Sequence, residues 1–347
     1  MAKNLKIYFF FILFIFIQKS VNGTAICVGL ECAQISNETL LLANLVDPVL
    51  RQIYTKDFLN SMAESAVLQN INGTMVGGTL IEKNRISAGY SMSRSNIKPR
   101  DFYFEITELR ELPTQGLAAS PSFSYAFNLG HMFSKAGEWQ KWNFFVQFFP
   151  YQLSETNIPF LKIRNTNVGG QVTNASFNLR YFPFKEDSSK DGFSFGLGLL
   201  HTNQNISLDA YDRRPTGFQL DGDRRRWLGI NDLKYDSRIN SVTIDGRYAL
   251  PLSNLTLYAG LGGMYNHGYT QVQVERIALI SSSINRDDFS SNPSAVDIRL
   301  SSKINVRDSN FYGILGLSYK WDQVGISFEY LKNKNTESAN LGIHYYY

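Results

Sequence analysis

The pattern of apolar residues along the chain changes near Gly73. From there to the end, apolar side chains recur at every second position, with polar or small residues between them. Because side chains of a β-strand alternate between its two faces, this period predicts strands with one apolar face. About twelve segments show it: residues 74–81, 86–92, 102–106, 123–129, 142–149, 175–181, 193–199, 242–248, 255–265, 311–321, 324–330 and 338–347.

The last of these segments carries a further signal. Its length of about ten residues suits a tilted strand that crosses a bilayer. An aromatic last residue, preceded by apolar residues at every second position, resembles the C-terminal signal of bacterial outer-membrane β-barrels. The resemblance implies recognition by the barrel-assembly machinery through four residues, Leu341, Ile343, Tyr345 and Tyr347. On these residues alone, an edge strand of a secreted β-protein is the alternative.

The connections between the segments alternate in length. The short ones are residues 94–98, 134–138, 185–190, 251–254 and 322–323, and the long ones are 154–170, 205–237 and 276–308. Outer-membrane barrels have short periplasmic turns and longer external loops, whereas a soluble sandwich does not require this alternation. We therefore predict an all-β fold, a transmembrane antiparallel barrel of about twelve strands in the bacterial outer membrane, with loops exposed at the surface.

The amino terminus has the build of a secretory signal peptide, predicted as residues 1–23. Lys3 and Lys6 precede an apolar run over residues 7–17, which is too short for a transmembrane helix. Cys27 and Cys32 follow, and in an oxidising compartment they are close enough in sequence to form a local disulfide. Lipid modification of Cys27 is the alternative.

Residues 36–70 instead show apolar residues at roughly helical spacing. Pro48 predicts a break into two short helices, with Asp57 near the start of the second. We predict a helical cap or plug for the barrel. The predicted division is a signal peptide at 1–23, a periplasmic helical segment at 24–72 and the barrel at 73–347.

The residues that could carry catalysis do not form a recognisable constellation. The four histidines, His131, His201, His267 and His344, fall on different predicted strands without metal-ligand spacing. A formal net charge of only +4 does not favour nucleic acid as a partner. We predict a protein without enzymatic activity, metal or cofactor. A barrel esterase with a Ser/His pair is the least favoured alternative.

Charged residues at two places are candidates for function. The first set faces inward on the predicted strands: Arg180, Asp245, Arg247, Lys320 and Glu329. It forms either an ion-paired lumen or a pore constriction. The second set lies in the 205–237 loop: Arg213, Arg214, Arg224, Arg225, Arg226 and Trp227. It suits an anionic glycan or an acidic protein surface, or else pairs with the loop's own aspartates or with lipopolysaccharide.

A finer resemblance rests on residues 70–75 and 84–91, which follow the helical stretch. These two short segments resemble the corresponding sequence of leptospiral surface-exposed outer-membrane proteins, a family that includes host-matrix adhesins. The resemblance implies a surface barrel with long loops that bind or shield. Outer-membrane lipid, lipopolysaccharide and host glycan or matrix protein are the partners this would involve. A diffusion channel or hydrophobic-solute transporter with an N-terminal plug is the alternative.

Overall fold

Ten antiparallel strands close into a barrel in the computed structural model. The structure describes residues 24–29, 55–97, 117–133, 137–154, 166–184, 192–220, 223–281 and 294–347. The wall strands are β2 (Arg85–Ser95), β3 (Leu117–Asn128), β4 (Trp142–Ser154), β5 (Thr166–Tyr181), β6 (Phe193–Tyr211), β8 (Asp223–Leu252), β9 (Leu255–Ser281), β10 (Ser294–Trp321), β11 (Val324–Lys332) and β12 (Thr336–Tyr346). Each pairs with its neighbour along the chain, and β12 pairs with β2 to close the wall.

The predicted count of about twelve strands is wrong by two. Residues 74–81 form an irregular segment inside the barrel, with positive φ angles at Met75 and Gly77 that a strand does not have. No wall strand lies between β2 and β3, which pair directly, and residues 102–106 lie outside the described residues. Each of the other ten predicted segments matches one wall strand, and only residues 129 and 347 extend beyond a strand end.

The outer face of the barrel is apolar where the sequence places alternating apolar residues. On β12, Leu341, Ile343, Tyr345 and Tyr347 are 48–59% exposed, whereas Asn340, Gly342 and His344 face inward and are buried. The same alternation on β6 and β8 exposes Phe195, Leu197, Val242 and Ile244. An exposed apolar face around a closed wall matches the lipid-facing surface of a transmembrane barrel.

Three strands are much longer than a membrane crossing requires. β8, β9 and β10 contain 30, 27 and 28 residues, compared with about ten for a tilted transmembrane strand. They continue as a sheet beyond the apolar face, which we call the outer sheet. Two short strands widen it: β1 (Thr24–Val28) pairs with β10, and β7 (Thr216–Leu220) pairs with β8. The described parts of the long loops predicted at 205–237 and 276–308 are therefore largely strand, because regular pairing continues into both of them.

The barrel has a mouth with tight turns and an opposite mouth that leads into the outer sheet. Ser253 and Asp322 occupy the tight turns, each with a positive φ, and the end of β12 lies at the same mouth. The sequence predicts that the short connection at 94–98 lies at this mouth with the other short turns, and this prediction is wrong. Asn96 donates to the carbonyl of Asn335 in the β11–β12 turn, at the opposite mouth. The error arises from the strand predicted at 102–106. One additional strand between β2 and β3 reverses the direction predicted for β2, since neighbouring strands are antiparallel.

A helix, α1 (Lys56–Gly73), lies inside the barrel. It contacts strands all round the wall, namely β2, β3, β5, β6, β8, β9, β10, β11 and β12. From Phe58 onward its side chains are buried, apart from the partly exposed Asn60. α1 thus occupies the plug position rather than the cap position. The first predicted helix lies outside the described residues, and the division into domains stays a prediction.

The sequence of α1 explains how it fits against two different walls. Thr55 caps its start, since the Thr55 hydroxyl accepts a hydrogen bond from the Phe58 N–H at 3.3 Å. Residues four positions apart lie on one face of a helix. Ala63, Val67 and Ile71 accordingly pack into an apolar cluster of the wall. Ser61, Ser65 and Gln69 face the serine-rich inner faces of β2 and β3. Small serines leave room for the helix backbone.

We expect deletion of residues 345–347 to block assembly in the outer membrane while export continues. Tyr345 and Tyr346 pair with β11 and β2, so their loss opens the closing seam of the barrel. Heat-dependent gel mobility of the outer-membrane fraction measures assembly. Replacement of all three tyrosines by phenylalanine is the matched control and should assemble. A heat-modifiable barrel after the deletion would contradict the assembly signal.

Candidate functional site

Four of the five predicted lumen residues form one buried ion network. Arg180 and Arg247 both donate to the Asp245 carboxylate, the latter through Nε at 3.1 Å. Arg247 Nη1 also donates to Glu329 Oε2 at 2.5 Å. All four side chains are at most 3% exposed. Two cations and two anions at this depth are mutually compensating, so the network fits a structural junction better than an open constriction.

The network joins the wall to the segment that follows α1. Arg247 Nη1 donates to the carbonyl of Gly77 at 3.0 Å, and the Tyr258 hydroxyl donates to Glu329 Oε2 at 3.0 Å. A side chain at Gly196 would have its Cβ 2.5 Å from Arg180 Nη2. Glycine in β6 therefore leaves the space that the inward-pointing arginine occupies.

The fifth predicted lumen residue, Lys320, lies apart from the network. It is exposed at the end of β10, and its Nζ lies 4.7 Å from the centre of the Tyr346 ring. A cation over an aromatic face is a favourable contact. Lys320 therefore belongs to the rim of the tight-turn mouth.

Polar contacts hold α1 against the wall on its serine side and at its end. Ser65 Oγ lies 2.8 Å from Ser93 Oγ, and the Ser95 hydroxyl donates to Ser61 at 2.6 Å. Two further residues of α1 bond other strands of the wall: Asn70 Nδ2 donates to Thr202 Oγ1 on β6 at 2.8 Å, and Asn72 Nδ2 donates to Ser338 Oγ on β12 at 3.1 Å. These bonds fix both the rotation and the depth of the plug.

A carboxyl group of α1 meets a carboxyl group of the wall. Asn310 Nδ2 donates to Glu64 Oε1 at 2.7 Å and to Asp308 Oδ2 at 2.5 Å, and Asn333 Nδ2 donates to Glu64 Oε2 at 3.0 Å. Burial, together with a hydrogen bond to Asp308 and its negative charge, raises the pKa of Glu64 from 4.5 to about 7. Glu64 therefore binds its proton more tightly in the folded protein than in the unfolded chain.

We expect the contribution of Glu64 to the free energy of unfolding to fall as pH rises from about 4.5 to 7. Over this range the folded state holds more protons at Glu64 than the unfolded state, so this contribution decreases with pH and levels off above 7. The loss is on the order of 3 kcal/mol. Urea unfolding across this range measures it. The difference between the profiles of the unchanged protein and Glu64→Gln gives this contribution, whereas Asp57→Asn, an exposed change on the same helix, should leave the profile unchanged.

The predicted ligand-binding residues whose side chains are described lie on different elements and strand faces. Arg213 and Arg214 are exposed in the turn between β6 and β7, and the side chains of Arg224 and Arg225 lie outside the described part. Arg226 and Trp227 are consecutive in β8 and point to opposite faces of it. The prediction of a loop at 205–237 missed this separation, because the segment forms the paired strands β7 and β8.

Trp227 is held by a residue that the sequence analysis did not single out. The Arg276 guanidinium lies 4.0 Å from the centre of the Trp227 ring. Arg276 also forms an ion pair with Asp212 at 2.7 Å and donates to Asn231 at 2.6 Å. Asp212 thus pairs with Arg276 from a distant strand rather than with the arginines beside it in sequence.

Two of the four histidines, His201 and His344, form hydrogen bonds with neighbouring side chains. His344 faces the lumen and is hydrogen-bonded on both ring nitrogens, to Ser327 at 2.6 Å and to Ser87 at 2.7 Å. These bonds link β11, β12 and β2 across the closing seam. His201 faces outward and bonds Asn240 at 2.7 Å. Cys27 is disulfide-bonded, and Cys32, the other cysteine, lies outside the described residues.

Within the described ranges, no group of three or more histidine, cysteine, aspartate or glutamate residues is arranged to hold a metal ion. None of the helices in that part of the chain combines the length and the apolar character needed to cross a membrane.

Solved structures that resemble the chain are bacterial membrane proteins. They include Ail, the attachment invasion locus protein of Yersinia pestis, at 15% identity and a TM-score of 0.25, over 77% of this chain and 100% of Ail. The translocator domain of the autotransporter NalP from Neisseria meningitidis has 10% identity and a TM-score of 0.31, over 85% and 99%. A Pseudomonas aeruginosa FadL homologue has 9% identity and a TM-score of 0.26, over 82% and 94%.

Curated proteins give no significant match to the chain. A family model does match, and its description is Lsa36-like. The match runs from residue 20 to residue 347 and so includes α1, the barrel wall and the outer sheet. The chain therefore belongs to the Lsa36-like family.

Proposed function

We propose that the chain is a non-enzymatic outer-membrane barrel whose outer sheet and long loops bind or shield at the cell surface. The observation that carries this proposal is the length of β8, β9 and β10, which continue far beyond the apolar face of the barrel. With the tight-turn mouth in the periplasm, as in outer-membrane barrels, the outer sheet lies outside the cell.

The filled lumen supports a binding role over transport. α1 packs against wall strands around the barrel, and Arg247 of the ion network bonds the segment that follows α1 to the wall. A protein that keeps its lumen occupied but extends long paired strands outward presents its largest accessible surface to external molecules. Host matrix proteins or anionic glycans are the proposed ligands, with exposed Arg213 and Arg214 among the contacts.

Binding of the refolded full-length protein in lipid nanodiscs to immobilised laminin, fibronectin and heparin tests this proposal. We expect saturable binding that weakens at least about threefold in an Arg213→Gln/Arg214→Gln variant, since two exposed cations are removed. Lys332→Gln removes an exposed cation at the β11–β12 turn and is the control. Absence of binding to every matrix component, with the barrel correctly folded, would reject an adhesive role.

A plugged channel is the second candidate, favoured by the polar contacts on one side of α1. Ser61, Ser65 and Gln69 meet serines of β2 and β3. Hydroxyl groups can exchange such bonds for water, so displacement of the helix would leave a wettable wall. Outer-membrane lipid and lipopolysaccharide would surround the barrel in either case, with the exposed Arg238 and Arg307 just beyond the apolar face.

A further inference from the structure

The outward face of the outer sheet carries a second apolar zone, far from the lipid-facing one. Along β9 the lipid-facing residues end near Tyr265, and Ile277 begins the second zone. The twelve-residue step from Tyr265 to Ile277 places the two zones about 40 Å apart along the strand. We call the second zone the distal strip, and define it by six side chains: Ile26, Val28, Tyr211, Ile230, Ile277 and Leu279.

Strand pairing places the side chains of the distal strip beside one another on β6, β8 and β9, while on β10 Asp297, ion-paired with Arg299 at 2.9 Å, separates Ile277 from Ile26. Tyr211 pairs with Ile230, and Ile230 pairs with Ile277. On the other side of β10, Ile26 and Val28 pair with Asp297 and Ala295. The six defining side chains are 41–67% exposed. Exposed aliphatic and aromatic groups gathered on one face favour burial against another molecule.

Polar residues separate the distal strip from the bilayer. His201, Asn240 and His267 form the first outward-facing row beyond the lipid-facing zone, paired strand to strand. The row next to the strip contains Asp209, Asp232 and Glu275. Charged residues this far along the strand would not lie in hydrocarbon, so lipid tails do not account for the strip.

The two borders of the strip differ in charge balance. On the membrane side, Lys234 pairs with Asp232, and Arg299 pairs with Glu275 at 2.8 Å. On the far side, the exposed Arg213 and Arg214 follow Tyr211 closely in sequence. Their neighbour Asp212 is already paired with Arg276 at 2.7 Å. Among the side chains that the structure describes, the far border therefore carries the less compensated charge, and this charge is positive.

This charge pattern disfavours a second copy of the chain as the occupant. Two copies in one membrane are related by an axis along the membrane normal, which brings equal heights together. The arginine border of one copy would then meet the arginine border of the other, and like charges across an interface oppose association. An acidic border on a different protein would instead complement Arg213 and Arg214.

We propose that the distal strip docks a protein partner that presents an aliphatic segment with acidic residues at its membrane-distal end. This rests on the proposed surface function, and it adds the chemical class of the partner. The aliphatic segment would cover Ile230, Ile277 and Leu279. The acidic end would meet the arginines, and these charges would set the orientation of the partner on the sheet.

The test uses the full-length protein in lipid nanodiscs and two fluorescein-labelled synthetic peptides. Both alternate isoleucine with serine, and one ends in a run of glutamates where the other ends in lysines. Fluorescence anisotropy should show about tenfold tighter binding of the glutamate peptide. Ile277→Asp should weaken that binding about tenfold, whereas Gln273→Asp, on the same face of β9, should not. Arg213→Glu/Arg214→Glu should reverse the preference.

Three results would overturn the proposal: equal binding of both peptides, binding unaffected by Ile277→Asp, or no binding. A dimer that Ile277→Asp disrupts would assign the strip to a second copy instead. A Gln273→Cys variant on intact cells, treated with a membrane-impermeant maleimide, checks the surface location separately. Labelling without peptide binding rejects the docking surface alone, while failure to label rejects the surface function on which it rests.

Discussion

Replacement of Arg247 by methionine is expected to lower the free energy of unfolding by about 3–5 kcal/mol. Methionine keeps much of the side-chain volume but leaves the Glu329 carboxylate buried with only the Tyr258 hydroxyl bonded to Oε2. Asp245 would retain Arg180. The Gly77 carbonyl would lose its hydrogen bond from Arg247, so the segment after α1 would be loosened too. Urea unfolding followed by tryptophan fluorescence measures the change.

Two further variants separate the buried charge from a general effect of losing an arginine. Arg238→Met removes an exposed arginine from the same strand, and its effect should stay within about 0.5 kcal/mol. Arg247→Met combined with Glu329→Gln should recover part of the loss, because the double variant no longer buries an uncompensated carboxylate. Similar effects of Arg247→Met and Arg238→Met would show that the network adds little to stability.

Much of the barrel follows from local rules and could therefore be predicted from the sequence. Alternation predicts which face of a strand is apolar, and the faces of β12 are as predicted. The inward face of a strand is fixed in the same way, so Arg180, Asp245, Arg247 and Glu329 could be assigned to the lumen. The resemblance drawn from residues 70–75 and 84–91 is also confirmed by the family match.

The errors arise where pairing between distant segments decides the structure. The period of two at residues 74–81 arises in an irregular segment packed inside the barrel, where burial rather than pairing favours apolar residues. Conversely, the polar stretches of β8 to β10 resemble loops because both faces lie beyond the lipid, although their backbone remains paired. The pairing of Arg276 with Asp212 joins residues far apart in the chain, so local sequence could not predict it.

The serines on the inward faces of β2 and β3 are a sequence feature that favours a plug. Serines recur on the inward faces of β2 and β3, at Ser91, Ser93, Ser95, Ser120 and Ser122. A filled barrel of ordinary side chains needs larger inward residues, whereas small ones leave room for a helix. Read together with the helical spacing before residue 73, these serines would have favoured a plug over a cap.

Removal of the plug is expected to convert a closed barrel into a conducting one. An α-helix with its side chains is about 10 Å wide, so its loss would leave a water-accessible passage of comparable width. We expect the full-length protein to be silent in a planar bilayer and a variant lacking residues 36–73 to conduct steadily. Ile239, Met264 and Ile314 belong to the apolar cluster that includes residues of α1. Loss of α1 would expose them to water, so we expect that variant to be less stable.

A second design keeps the whole chain and so does not depend on the truncated barrel folding. Val67→Asp/Ile71→Asp places charges in the apolar contact between α1 and the wall. We expect intermittent conductance as the helix is displaced from its packed position in the barrel. Adding Ser65→Cys/Ser93→Cys, whose oxygens lie 2.8 Å apart in the native pair, should suppress those openings through a disulfide. Steady conductance by the unmodified protein, or silence of a correctly folded truncated barrel, would show that α1 is not what closes the lumen. If conductance appears only when the packing of α1 is disrupted, the lumen of the unmodified protein is closed. The outer sheet is then the part of the protein that acts at the surface.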